Sequence, residues 1–241
     1  GPGFPTLRFR GQETCTPTLT PMSTYAVDIY ERLLQAFGHQ DWWPGDSPFE
    51  VMVGAVLTQN TSWKNVEKAI DNLRDADCLR LADVHQLKVE ELAELIRPAG
   101  YYRLKARRLK NLIDFVADRY DGSLEAMFAV DVSQLREELL GINGIGPETA
   151  DSILLYAGDL LSFVVDNYTA RVLKRHGWIE PEADYYAIQD FLASSLPDDV
   201  QLYNEFHALF VRVGNSYCRK TPRCDQCPLN ELLPESGIVD L

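Results

Sequence analysis

Three places in this chain hold residues whose types and spacing suit chemistry. Near the C-terminus, CRKTPRCDQC spaces Cys218, Cys224 and Cys227 as C-x5-C-x2-C, and thiolates on so short a loop are natural ligands for an iron–sulfur cluster or zinc. A closed four-ligand site needs another ligand, and nearby Asp225, Glu231 and Glu235 are poor partners among thiolates. In the middle, GINGIGPETADSI (residues 141–153) sets Gly144 and Gly146 at a sharp joint, where backbone N–H groups can meet a phosphate without a cationic side chain. A plain turn between packed helices would read the same way. Pro147 suits the first position of the following helix, and Glu148 lies near its positive end. Closer to the start, Trp42 and Trp43 stand in tandem, stiffened by Pro44, with Trp63 downstream. By composition alone, paired tryptophans belong to a core more often than to a pocket.

The elements that must position these residues are helical. Val27, Tyr30, Leu34 and Phe37 recur at three- and four-residue steps, with Ser23 as a cap and Gly38 as a stop. Similar periodicity predicts helices over roughly 48–59, 63–74, 88–96, 103–119, 132–140, 147–158, 167–176, 184–195 and 199–217. The stretch LSFVVD (161–166) is β-branched but has no partner strands in view, and Asp166 at its end is placed to cap the next helix. The fold class expected is all-α, with no solenoid repeat and no flexible linker.

Composition narrows the partners. The 241 residues carry a formal net charge of −13, which argues against a surface coated in nucleic acid. One local exception is RPAGYYRLKARRLK (97–110), where Arg97, Arg103, Lys105, Arg107, Arg108 and Lys110 occur without an acid. No apolar run approaches a membrane span, so the expectation is a soluble, cytoplasmic, monomeric chain without a membrane partner. The five cysteines, odd in number and widely spread, do not suggest a disulfide framework. Residues 1–22, rich in Thr and Pro, read as a mobile leader, and 229–241 as an acidic, loosely held tail.

Taken together, the glycine joint, FVVDNYTARVLKR (163–175), FEVMVGAVLTQNTSWKNVEKA (49–69) and IRPAGYYRLKARRLKNL (96–112) resemble the helix–hairpin–helix DNA glycosylase superfamily typified by endonuclease III. The likeness runs from about residue 40 to 227, in family order. It implies a two-lobed fold with the active site between lobes: a central bundle over 48–155 ending in the hairpin, and a second lobe joining 23–47 to 156–228. It implies that Asp166 is the catalytic carboxylate, that Gln59 fills the gap left by an extruded base, and that Tyr101 wedges into the opposite strand. Lys105 and the neighbouring arginines would hold phosphates. The partner is double-stranded DNA with a flipped damaged base.

Two departures refine the expectation. Members that also cut the strand carry a lysine where this chain has Glu148, and a carboxylate cannot form the Schiff base that strand cleavage needs. Glu148, together with Trp42, Trp43, Pro44 and Trp63, resembles the 3-methyladenine branch of the endonuclease III type, in which those aromatics line the base pocket. That implies a monofunctional enzyme acting on alkylated purines. Another excised base (mismatched adenine, uracil or thymine) or a non-catalytic DNA binder stays open. The cysteine loop resembles the family's [4Fe-4S] loop with incomplete ligation, Leu233 standing where the family has its fourth cysteine, which leaves a cluster with a non-cysteine ligand, a different metal, or free thiols.

Overall fold

The computed structural model describes residues 22–43 and 45–240; Pro44 and most of the expected leader lie outside them. Twelve α-helices are described: α1 (Met22–Phe37), α2 (Pro48–Leu57), α3 (Trp63–Asp75), α4 (Leu81–Gln86), α5 (Val89–Leu95), α6 (Tyr102–Tyr120), α7 (Leu124–Phe128), α8 (Val132–Leu140), α9 (Pro147–Ser152), α10 (Asn167–Arg175), α11 (Tyr185–Ser195) and α12 (Val200–Ser216). Among the described residues there is no strand. The chain is all-α. No helix is long and apolar enough to cross a membrane among the described residues.

Two hydrophobic cores organise these helices. The first gathers buried side chains between Phe49 and Ala157. Its centre is α2, which is apolar all round and buried from Phe49 to Leu57. Ser47 starts that helix by accepting from the Glu50 N–H at 3.2 Å, and Pro48 occupies the first position. On α6, Lys105, Ala106, Leu109, Leu112, Ile113 and Val116 recur on one buried face, and Lys105 is an unexpected member of it. The second core joins α1 to α10, α11 and α12, with Phe206 and Phe210 stacked 4.5 Å apart in its interior.

Asp151 of α9 ties the two cores together. It is fully buried, accepts from both arms of the Arg136 guanidinium at 2.7 and 2.8 Å, and receives Ser162, Tyr185 and Gln189 at 2.6–2.9 Å. The residues that meet there come from α8, α9, α11 and the extended stretch before α10. A buried carboxylate with so many donors has its desolvation offset, and it fixes how the elements around the cleft sit.

Three local expectations are corrected. Helix α1 begins at Met22, so Ser23 lies inside its first turn and does not cap it. Helix α9 stops at Ser152 and passes into a π-helical turn over Ile153–Ala157, where one continuous helix was expected. The segment after Cys227 is not loose: Leu229 is fully buried, and the Val239 N–H donates to the Arg175 carbonyl at 2.8 Å.

Candidate active site

The extended stretch before α10 delivers Asp166 to the mouth of a cleft between the two cores. Asp166 is the N-cap of α10: its Oδ1 accepts from the Thr169 N–H at 2.7 Å and the Thr169 hydroxyl at 2.9 Å. One carboxylate oxygen is thus held by the helix start. The other, Oδ2, lies 3.8 Å from Nε2 of His207 on α12, and the side chain keeps 13% of its surface open. The cap reading and the reactive reading describe two oxygens of one residue.

Around Asp166 is a cavity of about 320 Å³ lined by Trp42, Trp43, Trp63, Gln59, Glu148 and Tyr168, among others. Trp43 packs edge to face with both other indoles, its ring centroid 5.2 Å from that of Trp63 and 5.7 Å from that of Trp42. Gly54, in the middle of α2, makes this possible. A methyl group there would meet the Trp43 and Trp63 rings at 3.3–3.4 Å. Sequence reasoning missed Gly54, although a glycine inside an apolar helical run is a signal that something approaches the backbone.

Glu148 opens the first turn of α9 and faces the same cavity. The cleft walls strip water from its carboxyl and the charge of Asp166 repels its own, raising its pKa to about 7. The side chain remains solvent-exposed at the mouth, and water there opposes part of that rise. Among the described residues that line the cavity there is no lysine.

The hairpin is braced from α2 and α6. Gly144 has φ +97°, a left-handed conformation suited to glycine, and a Cβ there would sit 2.2 Å from the Arg108 side chain. Gln59 donates to the Gly144 carbonyl at 3.2 Å and to the Thr149 hydroxyl at 2.9 Å, while Arg108 donates to its amide oxygen. Gly146 differs. Its φ of −95° suits any residue, and among the described residues nothing beyond its chain neighbours lies within 4 Å of where a Cβ would stand.

Tyr101 is 73% exposed and holds a left-handed φ of +46° immediately before α6. It is no core residue. Leu104, one turn on, is 46% exposed beside it. Lys105 overturns its expectation. It is only 1% exposed, and its ammonium donates to the Leu57 and Ala99 carbonyls at 2.8 Å each. Burial and the Arg108 charge lower its pKa to about 8. It cannot reach a phosphate; it closes the C-terminal end of α2.

The hairpin, the carboxylate eighteen residues beyond Glu148 and the aromatic cavity thus meet between two helical lobes. Residues 53–198 match the HhH-GPD superfamily of base excision DNA repair proteins. The chain belongs to that family. It is 51% identical over 205 residues to MJ1434 of Methanocaldococcus jannaschii, whose name assigns it provisionally to the DNA repair glycosylases; the match covers 84% of this chain and 93% of that one. A solved 3-methyladenine DNA glycosylase from H. pylori, bound to 1,N6-ethenoadenine, superimposes with a TM-score of 0.71 at 32% identity, covering 79% of this chain and 97% of that one. An endonuclease III trapped as a covalent intermediate with DNA superimposes at 0.76 and 25% identity, covering 88% and 96%. The chain is therefore a DNA glycosylase of the base excision repair family, with the helix–hairpin–helix fold.

For this HhH-GPD protein the cysteine loop is the poorest match to expectation. Cys218, Cys224 and Cys227 border a small cavity together with Leu233, Ile238 and Arg175. Arg175 donates to Cys218 Sγ at 3.4 Å and to the Arg219 carbonyl at 2.6 Å, and Arg171 donates to the Cys218 carbonyl at 2.6 Å. Among the described residues no group of three or more His, Cys, Asp or Glu side chains gathers at metal-binding spacing. Three thiols with a leucine at the fourth position and a guanidinium beside the first do not fit a four-ligand cluster. Arginine-to-carbonyl bonds hold this loop, and of the alternatives the sequence left open the donor set favours free thiols or a site completed by a non-cysteine ligand.

Proposed function

We propose that this glycosylase is monofunctional and hydrolyses the N-glycosidic bond of alkylated purines such as 3-methyladenine, leaving an abasic site. The observation that carries the proposal is Asp166, with one oxygen tied to the start of α10 and its side chain lining an indole-walled cavity.

The chemistry follows from that arrangement. An alkylated purine in DNA carries positive charge, which makes it a good leaving group and attracts it to indole faces at about 1–3 kcal/mol per contact. As the bond to the sugar lengthens, positive charge moves to the sugar. A carboxylate beside it stabilises that charge and orients the attacking water. The solved relative bound to 1,N6-ethenoadenine supports a modified purine as the ligand. Exposed Tyr101, in its strained backbone setting, suits a wedge between strands. Gln59 is held over the hairpin where a vacated stack would need filling. Gly146 leaves its backbone bare on a face where a phosphate could approach.

Strand cleavage by a Schiff base requires an amine, and Glu148 stands where it would be needed. Borohydride reduction in the presence of damaged DNA is expected to trap no covalent adduct. Adduct formation in step with base release would contradict the monofunctional assignment. Duplexes each bearing one lesion, offered in competition, test the substrate class: preference for uracil or a mismatched thymine over an alkylated purine would overturn it.

A further inference from the structure

Behind Asp166 stand a buried histidine and a half-buried tyrosine that the reaction as described does not use. His207 on α12 is 5% exposed, and Tyr156 comes from the π-helical turn that follows α9. The Tyr156 hydroxyl and His207 Nδ1 are hydrogen-bonded to each other. His207 Nε2 is buried, has no hydrogen-bond partner among the described residues, and points at Asp166 Oδ2 across 3.8 Å. Tyr156 also packs against Trp43, with ring centroids 5.1 Å apart, so the pair touches both the carboxylate and the aromatic wall. The π-helical turn displaces Tyr156 from the register of α9, and such turns recur at functional sites.

The two possible tautomers of His207 are unequal here. With the proton on Nδ1, the Nε2 lone pair would face a carboxylate oxygen in a water-poor setting, which is repulsive. With the proton on Nε2, the ring directs an N–H at Asp166 Oδ2, and Nδ1 accepts from the tyrosine hydroxyl. Burial lowers the His207 pKa and raises that of Tyr156, keeping the imidazole neutral and the phenol protonated. Nε2 would otherwise be an orphaned buried donor, which is costly. At 3.8 Å the separation exceeds a hydrogen bond, and the N–H dipole acts on the carboxylate across a charge–dipole contact.

We propose that Tyr156 and His207 form a positioning relay for Asp166: the tyrosine hydroxyl fixes the histidine tautomer, and the histidine Nε2–H holds Oδ2 toward the sugar. Oδ1 belongs to the α10 start. Both oxygens of the carboxylate then have assigned donors, and its orientation is set before the base arrives. This role rests on the reading of Asp166 as the reactive carboxylate.

Two measurements test the relay. In single-turnover base release from methylated DNA, H207F is expected to slow the reaction on the order of 10- to 100-fold, the penalty of a misplaced reacting group. Its affinity for a duplex holding an abasic-site analogue should stay within about twofold, because His207 acts through Asp166 and not on the DNA. H207Q, which can still aim an N–H at Oδ2, should recover most of the loss, and Y156F should fall between. H207F at the wild-type rate, or H207Q as slow as H207F, overturns the relay. The second measurement needs no substrate. Long-range ¹H–¹⁵N correlation on histidine-labelled protein should show His207 protonated at Nε2, with its Nε2 shift moved in D166N and its Nδ1 shift moved in Y156F. An Nδ1-protonated ring refutes the relay even if base release proceeds. A wild-type protein that releases no alkylated base, yet shows the Nε2–H tautomer responding to D166N, counts against the substrate assignment and supports the relay.

Discussion

Trp63 and Glu148 face one cavity but act through different physics. Trp63 is half-buried at the start of α3, with one face toward the cavity and an edge contact to Trp43. Removing its ring in W63A should cost on the order of tenfold or more in release of alkylated bases, from a stacking contribution of about 1–3 kcal/mol. The circular-dichroism spectrum should be unchanged; undiminished turnover in a folded W63A protein would exclude Trp63 from base recognition. Glu148 carries a pH signature. Its folded pKa, raised to about 7, exceeds the unfolded value near 4.5, so between those limits the folded chain holds a proton that the unfolded chain releases. Its contribution to stability is present at low pH and lost as pH rises through about 7. E148Q, which cannot ionise, should therefore become the more stable protein above pH 7, with the gap closing toward pH 4.5, in thermal melts across that range. A gap independent of pH would show that neither the cleft walls nor Asp166 raises the Glu148 pKa.

At the scale of elements, Lys105 shows how a side chain that looks electrostatic can be architectural. Its ammonium joins the C-terminal end of α2 to the segment before α6, and so sets the spacing between Gln59 and Tyr101. K105M leaves two buried carbonyls without a partner and should cost about 2–4 kcal/mol, read as a lower unfolding midpoint in urea at unchanged slope. Unaltered stability would mean that water replaces the ammonium. Sequence alone placed Lys105 among phosphate-binding cations because a run of basic residues does not declare which member faces inward; its spacing to Ala106, Leu109 and Leu112 on one face was the available signal. Most long helices were legible from apolar periodicity, as α3, α6, α8 and α12 show within a residue or two. The short helices α4 and α7 were not, since six and five residues hold too little periodicity to stand out. The π-helical turn was also invisible, because it arises from packing against α2 and α12 and not from local propensity.

The whole molecule brings together what the chain keeps apart. Asp166, Glu148 and the three tryptophans span residues 42–166, yet they line one cavity because α2 and α9 meet the α10 and α12 side of the molecule there. Those residues could be read from the sequence once the motifs were seen in order. His207 and Tyr156 could not: a lone histidine in NEFHALF and a tyrosine in ILLYA look like core until the fold sets them behind a carboxylate. Asp151 likewise gave no sign of being the buried joint between cores. The acidity of the chain misleads in one respect only. A net charge of −13 is compatible with a DNA glycosylase if, as proposed above, backbone N–H groups, exposed Tyr101 and a few arginines meet the DNA. The central claim, that Asp166 drives release of an alkylated purine, is tested most directly by incubating methylated genomic DNA with wild-type protein and D166N and identifying the freed bases by chromatography. The account predicts 3-methyladenine release by the wild type and its loss, with DNA binding retained, in D166N; equal release by both proteins would contradict it.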